Sequence, residues 1–183
     1  MKKANLVVLT GYPHSGKTIV AEFLVKHGFV RLELDEVRRE LFGKGFPHIS
    51  SEEEREARLW FHYKKIDLLS RGKNVVLDTC STTNTDRVEN LLLPESLLKK
   101  LNVKKYIICI SVIRGILEKR NLEDKERDRK LFRKVFRDID KHWDNPRTYK
   151  DWQTNVKILV YKNNNLKDLE KIKKSLEKEF NLI

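Results

Sequence analysis

The segment GYPHSGKT, residues 11–18, constrains the fold of this chain more than any other part of its sequence. It has the spacing G-x-x-x-x-G-K-[ST], in which glycines allow backbone N–H groups to turn toward phosphate oxygens. A short apolar run precedes it and a helical pattern follows, so the positive end of a helix would face the same anion. The segment therefore predicts a strand, a phosphate-binding loop and a helix that together bind a nucleotide.

The residues of this loop have distinct expected roles. Lys17 is expected to reach the β- and γ-phosphates, and the hydroxyl of Thr18 is expected to ligate Mg²⁺. The residues predicted to bind the nucleotide here are Gly11, His14, Ser15, Gly16, Lys17, Thr18 and Ile19. The side chain of His14 either touches an acceptor or faces solvent, and we favour solvent. The loop alone does not indicate whether the phosphate passes to water or to an acceptor.

Strand and helix patterns alternate along the remaining sequence. Strands are predicted at residues 5–10, 29–33, 74–77, 104–112 and 156–161. Helices are predicted at residues 17–27, 35–42, 51–70, 114–121, 130–142 and 166–180, with another from about 86 that is disturbed at Pro94. The alternation predicts an α/β fold with a doubly wound, five-stranded parallel sheet and helices on both faces. We expect a single domain over residues 1–183, and ligands at the carboxyl ends of its strands.

Composition narrows the class of protein further. No stretch approaches the roughly 18 apolar residues of a membrane span. The basic start and apolar run of residues 1–12 read like a signal peptide, but the run leads directly into the phosphate loop and is predicted to be a core strand. Cys80 and Cys109 provide neither a disulfide framework nor a metal site. The default expectation is a cytoplasmic protein.

The charge of the chain is basic and uneven. The formal net charge is +12, and residues 99–150 contain 17 basic and 8 acidic residues, so most of the excess lies there. A basic surface attracts polyanions such as nucleic acid. Composition alone fits a solvated basic face equally well, so both interpretations remain open.

The stretch LDEVRREL follows the second predicted strand. Its Asp35 and Arg38 are three residues apart, which places them on one helix face, one turn from each other. A carboxylate can orient an acceptor hydroxyl and take its proton, and an arginine can hold an anionic group of the acceptor. The alternative is an N-cap aspartate with a surface arginine. A phosphate loop on a neighbouring strand favours the functional interpretation.

These two segments, followed by VVLDTCSTTNTDR and LEKRN, resemble in order and spacing the kinase domain of 5′-hydroxyl polynucleotide kinases and related P-loop kinases over residues 5–136. The pattern G-x-P-x-S-G-K-T is also more similar to such kinases than to GTPase switches or motors, although His14 stands where most of them have glycine. The resemblance implies an adenylate-kinase-like fold, ATP with Mg²⁺, and transfer to a hydroxyl. It implies that Asp35 is the general base and that Arg38 holds a phosphate of the acceptor.

Two further loops complete the predicted site. Asp78 ends the third strand, where an acid can hold Mg²⁺ through water. Thr79 and Arg87 fit the family pattern loosely and are predicted to contact the acceptor. Arg120 matches the arginine of a basic lid, roughly residues 114–142, that stabilises the transferring phosphoryl group. Arg127 and Arg129 are candidates for a second phosphate contact; a solvated charged face is the alternative for this segment.

The third helix has arginines beside aromatic residues. Arg55, Arg58, Trp60 and Tyr63 could stack and hold a nucleobase. Packing is the favoured interpretation for Trp60, Phe61 and Tyr63.

Taken together, these features predict an ATP-dependent kinase with the 5′-hydroxyl of RNA or DNA as its acceptor. A small-molecule kinase is the alternative. An ATP-dependent switch or a nucleic-acid-binding module would not need Asp35 and Arg38 to face the phosphate loop. The sequence indicates neither an oligomeric state nor a base preference.

Overall fold

The computed structural model of the chain describes residues 2–45, 48–123, 129–146 and 156–182. In chain order, these residues form β1 (Lys2–Thr10), α1 (Lys17–Lys26), β2 (Phe29–Glu33), α2 (Leu34–Phe42), α3 (Ser51–Ser70), β3 (Asn74–Asp78), α4 (Asn84–Leu91), α5 (Glu95–Lys100), β4 (Leu101–Ser111), α6 (Arg114–Glu123), α7 (Arg129–His142), β5 (Val156–Lys162) and α8 (Leu166–Phe180). None of these helices is long and apolar enough to cross a membrane.

The strands form one sheet in the order β2-β3-β1-β4-β5, and every neighbouring pair is parallel. Leu9 of β1 lies opposite Asp78 of β3, which in turn lies opposite Glu33 of β2. The three strands therefore end side by side. This register brings the loops that follow β1, β2 and β3 to one edge of the sheet, as the sequence predicts.

The central strand β1 divides the core into two layers. Leu6 and Val8 are fully buried on the face covered by α2, α3, α4 and α5, whereas Val7 and Leu9 are fully buried on the face covered by α1 and α8. Successive side chains of a strand point to opposite faces, and a parallel sheet is normally apolar on both. The prediction of a doubly wound α/β sheet is confirmed.

Element boundaries differ from the sequence-based expectation at several ends. β1 begins at Lys2 and β4 at Leu101, because their first residues pair with each other in parallel register. The helix expected from residue 86 begins at Asn84, since the Thr83 hydroxyl accepts a 3.0 Å hydrogen bond from Asp86 N and the Asp86 carboxylate accepts one from Thr83 N. This is a capping box. The disturbance at Pro94 is a break, after which α5 begins.

The predicted lid segment contains α6 and α7, which pack against each other through Leu117 and Phe136. The ring of Tyr12, from the loop after β1, joins this cluster and lies 5.4 Å from that of Phe136. Arg127 lies outside the described residues, as does the side chain of Arg129. Their predicted phosphate contacts stay predictions.

Candidate functional site

A cleft of about 960 Å³ opens where β1, β2 and β3 end. Volumes of roughly 300–1,000 Å³ are usual for pockets that bind small ligands. Its walls come from the loop after β1, the first turns of α2, the loop after β3 and the inner side of α6. Among the predicted site residues it is lined by His14, Gly16, Lys17, Thr18, Ile19, Asp35, Arg38, Asp78, Thr79 and Arg120.

The two glycines of the phosphate loop have positive φ angles, 151° at Gly11 and 96° at Gly16. A Cβ on Gly11 would lie 2.5 Å from the carbonyl oxygen of Ile110, and one on Gly16 would lie 2.4 Å from Nδ2 of Asn163. Glycine is the residue that fits both the backbone angles and the space. The loop is thus closely packed against the ends of β4 and β5.

His14 also has a positive φ, 61°, at the position where the resembled kinases mostly have glycine. Its side chain is half-buried and lines the cleft, so the favoured interpretation that it faces solvent is wrong. A left-handed conformation at a non-glycine residue costs roughly 1–2 kcal/mol. Packing around the loop must therefore hold it in this conformation.

Lys17 lies at the base of the loop and is 8% exposed. Its Nζ donates hydrogen bonds to the carbonyl oxygens of Gly11 at 3.0 Å and Tyr12 at 2.9 Å. Thr18 and Ile19 are exposed on the cleft side of α1. The ammonium group is therefore held within the loop by backbone acceptors that a phosphate oxygen could replace.

Gly11 and Ser15 support the loop from behind. Ser15 is fully buried, and its Oγ lies 2.7 Å from the position that a Cβ on Gly11 would occupy. Neither residue lines the cleft. If Gly11 or Ser15 contacts a nucleotide, the contact would therefore be made by its backbone.

Across the cleft, Asp35 and Arg38 lie on the same side of α2 and form an ion pair. Arg38 also binds both carboxylate oxygens of Glu54 from α3, with Nε–Oε2 and Nη2–Oε1 distances of 2.8 Å. Arg58, one turn further along α3, donates to Glu54 Oε1 at 2.7 Å. These four side chains form a connected network that fixes the guanidinium of Arg38 against α3.

Glu54 is a residue of this network that sequence reasoning missed. It lies in the first turn of α3 beside Glu52 and Glu53, where acidic residues are expected in any helix, and its i+4 spacing from Arg58 is the signal that could have singled it out. Burial favours a higher pKa for Glu54, but hydrogen bonds and charge from Arg38 and then Arg58 outweigh it and hold the pKa below its usual value. Glu54 is therefore a stable anionic partner for Arg38.

Asp78 is 8% exposed at the end of β3, where it lines the cleft. Its Oδ2 accepts from Arg31 of β2, with Nε–Oδ2 and Nη2–Oδ2 distances of 3.1 and 2.9 Å, and Arg31 also pairs with Glu33 at 2.6 Å. Burial raises the pKa of Glu33, the charges of Asp78, Glu36 and Asp35 add to this, and Arg31 opposes it. Arg31 thus offsets part of the negative charge at this corner of the cleft.

The residues predicted to hold Mg²⁺, Thr18 and Asp78, both line the cleft. In the described parts of the chain, no group of three or more His, Cys, Asp or Glu side chains could hold a metal ion. A divalent ion at this site would therefore need ligands from nucleotide phosphates and water, which is how Mg²⁺ is usually bound in phosphoryl-transfer sites. The Thr18 hydroxyl and the Asp78 carboxylate are oxygen donors of the kind that Mg²⁺ takes as ligands.

Arg87 does not reach the cleft, contrary to the prediction that it contacts the acceptor. It is fully buried, and its guanidinium donates to the carbonyl oxygens of Thr82 and Asp144 at 2.9 and 2.8 Å, as well as to side-chain oxygens of Asn84 and Thr10. Its donors face the protein interior, where oxygens of β1, of the loop after β3 and of the segment after α7 surround the guanidinium. Arg87 thereby connects the segment after α7 to the loop after β3.

Thr79, the other residue predicted to contact the acceptor, does line the cleft. Its hydroxyl lies 2.5 Å from Ser81 Oγ.

Arg120 extends from α6 to the phosphate loop. Its Nη1 donates to the carbonyl oxygen of His14 and its Nη2 to that of Asn163, both at 3.0 Å. The predicted lid arginine is therefore beside the phosphate loop, where its guanidinium contacts backbone carbonyl groups. Asn163, which follows β5, is a second residue that the sequence did not single out.

The aromatic residues of α3 divide between core and surface. Phe61 is 2% exposed and packs in the core, as predicted. Trp60 and Tyr63 stack on each other with ring centroids 5.1 Å apart, but they are 40% and 59% exposed. Neither lines the cleft, whereas Arg58 does. The two exposed rings do not belong to the candidate site.

The model of one protein family, described as AAA domain, matches residues 6–146. No curated protein matches the chain at a significant level. Among solved structures, the chain is similar to a fungal RNA kinase (15% identity, TM-score 0.68, covering 98% of this chain and 44% of that one) and to the APS kinase CysC of Mycobacterium tuberculosis, solved with AMPPNP and APS (17%, 0.60, 100% and 98%). It is also similar to a chain of the Pnkp1/Rnl/Hen1 complex (19%, 0.53, 90% and 50%).

The chain spans about half the length of the fungal RNA kinase and of the matched chain in the Pnkp1/Rnl/Hen1 complex. At these identities the similarity concerns the fold, which is that of the P-loop kinases. The expected adenylate-kinase-like architecture is therefore confirmed.

Proposed function

The chain belongs to the AAA domain family, and we propose that this member is an ATP-dependent kinase that phosphorylates a hydroxyl group. One observation supports this most strongly: Asp35 and Arg38 line the same cleft as Lys17 and Thr18. A protein that only bound or hydrolysed ATP would have no need for a carboxylate and a fixed arginine opposite its phosphate loop. The cleft has one side for a donor and one for an acceptor.

On the donor side, backbone N–H groups of residues 11–17 and the N-terminus of α1 hold the phosphates. Lys17 exchanges its hydrogen bonds to Gly11 and Tyr12 for phosphate oxygens. Thr18 and Asp78 are the residues that would hold Mg²⁺, which when bound neutralises charge on the β- and γ-phosphates. Arg120 is close enough to the loop to turn its guanidinium from the His14 carbonyl to the transferring group, where its charge stabilises the transition state.

On the acceptor side, Asp35 accepts the proton of the attacking hydroxyl, as a general base does in phosphoryl transfer. Arg38 has five N–H donors, of which three are used by Asp35 and Glu54 among the described residues. The remaining donors can bind a phosphate of the acceptor. Because Glu54 fixes the guanidinium, that phosphate and the hydroxyl are held at a defined separation from Asp35.

For the acceptor we favour the 5′-hydroxyl of RNA or DNA. The basic side chains of Arg39, His48 and Arg58 line the acceptor end of the cleft together with Arg38, and the net charge of +12 favours a polyanion. The resemblance of GYPHSGKT, LDEVRREL and LEKRN to polynucleotide kinases supports the same acceptor. A small-molecule acceptor is the alternative, since the APS kinase has a similar fold and was solved in complex with the small molecule APS.

The test is transfer from γ-labelled ATP in the presence of Mg²⁺. The acceptors are a 5′-hydroxyl oligonucleotide, the same oligonucleotide with a 5′-phosphate, nucleosides, 3′-nucleotides and small alcohols. The proposal predicts label on the 5′-hydroxyl oligonucleotide and none on its phosphorylated control. Label confined to a small molecule would overturn the nucleic-acid acceptor, and ATP hydrolysis without label on any acceptor would overturn the kinase.

A further inference from the structure

Asn163 connects the end of β5 to the phosphate loop. Its side chain is 3% exposed, and Nδ2 donates a 2.8 Å hydrogen bond to the carbonyl oxygen of Ser15. The backbone of Asn163 is also fixed. Its N–H donates to the carbonyl oxygen of Ser111 at 2.9 Å, and its own carbonyl oxygen accepts from Arg120 Nη2. The backbone of Asn163 is therefore held on both sides while its side-chain amide contacts the phosphate loop.

The bonded carbonyl belongs to the peptide unit that joins Ser15 to Gly16. In a trans peptide the C=O and N–H groups point in opposite directions. When Asn163 holds the Ser15 carbonyl on its own side, the N–H of Gly16 is turned the other way. This N–H is one of the backbone donors on which a phosphate-binding loop depends.

The close packing around Gly16 supports this orientation of the Ser15–Gly16 peptide. Asn163 Nδ2 lies 2.4 Å from the position that a Cβ on Gly16 would occupy. The asparagine amide therefore fills the volume that the missing side chain leaves, and the glycine permits the approach. Asn163 and Gly16 therefore depend on each other, because the asparagine side chain packs where only a glycine leaves room.

We infer that Asn163 is a positioning residue for the donor nucleotide: it fixes the orientation of the Ser15–Gly16 peptide so that the Gly16 N–H faces the phosphates. The two asparagines that follow have other partners. Asn164 accepts from Ile113 N at 3.0 Å, and Asn165 caps α8 by accepting from Asp168 N at 2.9 Å. Only the first of the three asparagines reaches the loop through its side chain, among the residues the structure describes.

The inference rests on the proposed nucleotide binding, and Asn165 provides a matched control. Asn163→Ala removes the donor without adding charge, and Asn163→Asp keeps the size but turns the donor into an acceptor. Asn165→Asp adds the same charge to the same loop and preserves the cap, because aspartate is an equally good N-cap residue. Binding of ADP is measured for each variant by calorimetry, and the KM values for ATP and acceptor are measured separately.

We expect both Asn163 variants to weaken ADP binding by about tenfold, the effect of one oriented hydrogen bond. The KM for ATP should rise in parallel, the KM for the acceptor should stay unchanged, and Asn165→Asp should behave as the wild type. Wild-type ADP affinity in a folded Asn163→Ala protein would overturn the inference. If that variant does not fold, an equal loss in Asn163→Asp and Asn165→Asp would overturn it. Failure of the wild type to bind ADP would instead overturn the proposed function.

Discussion

Arg38 and Glu54 form a bidentate ion pair across the interface of α2 and α3, with both N···O distances at 2.8 Å. Arg38 is 9% exposed and the side chain of Glu54 is 24% exposed, so the arginine is out of water while the carboxylate is half-buried. Such planar bidentate pairing is the strongest form of a charge-assisted hydrogen bond. The position of the proposed acceptor-binding arginine is therefore set by a residue on a different helix.

Glu54→Gln is predicted to impair the acceptor side alone. The amide turns an NH₂ group toward a guanidinium that needs two acceptors, so Arg38 moves and kcat/KM for the acceptor falls by about tenfold or more. The affinity for ADP should not change. Steady-state kinetics with varied acceptor measure the effect, and Glu52→Gln, an exposed position in the first turn of the same helix, is the control. Equal acceptor kinetics in both variants would contradict the assigned role of Glu54.

Arg87→Ala is predicted to reduce stability rather than acceptor binding. Arg87 is fully buried and its guanidinium donates to four oxygens among the described residues, and removing one partner of such a network costs about 3 kcal/mol. Urea unfolding measures the loss, and Arg71→Ala, at an exposed side chain, is the control. A variant of unchanged stability with a raised KM for the acceptor would restore the sequence-based prediction.

Arg120→Ala is predicted to reduce kcat by about 10²-fold, since its guanidinium is proposed to stabilise charge mainly in the transition state. Lys119→Ala, at the exposed neighbouring position of α6, should retain full activity. Single-turnover transfer at saturating ATP measures the chemical step. A tenfold rise in the KM for ATP with no change in kcat would mean that Arg120 only supports the phosphate loop through its contact with His14.

Lys65 is predicted to make stability depend on pH above neutrality. It is 1% exposed and donates to the carbonyl oxygens of Asn90 and Leu92, and burial, with the charge of Lys105, lowers its pKa to about 7. Between that value and the ordinary lysine pKa, the unfolded chain binds the extra proton, so stability rises as the pH increases. The free energy of unfolding measured from pH 7 to 10 should therefore rise in the wild type.

Lys65→Met should remove the part of the rise in unfolding free energy that Lys65 contributes. Lys73→Met, at an exposed lysine, should leave the rise unchanged. The same slope in all three proteins would show that Lys65 remains charged in the folded state. Lys65 also illustrates a limit of sequence reasoning: it lies four residues from both Phe61 and Leu69 on the buried stripe of α3, but a lysine at such a position is ordinarily expected to reach solvent.

The parts of the fold that follow from local patterns could be predicted. Apolar runs and turn residues indicate the five strands, and the capping box of Ser50 and Glu53 marks the start of α3, where Glu53 N donates to Ser50 Oγ at 3.2 Å. The start of β4 could not be predicted, because its first three residues, 101–103, follow α5 directly with no loop between the helix and the strand. They are held in the strand by pairing with β1, which is a property of the sheet.

In the site, side chains that follow a strand end directly could be located from the sequence, whereas partners from distant elements could not. Asp35, Lys17 and Asp78 line the cleft because the register of β1, β2 and β3 fixes their loops. Glu54 and Asn163 come from α3 and from the end of β5, and their contacts depend on how those elements pack. The inward contacts of Arg87 likewise depend on Thr10 of β1 and on Asp144 after α7, which are distant in sequence.

The most direct test of the account is phosphate transfer by Asp35→Asn, measured with γ-labelled ATP and a 5′-hydroxyl oligonucleotide. The amide cannot accept the proton of the attacking hydroxyl but keeps the size of the side chain. The account predicts a loss of transfer of about 10²-fold or more with ADP affinity unchanged. Transfer at the wild-type rate would contradict the claim that the cleft joins a phosphate donor on one side to a hydroxyl activated by Asp35 on the other.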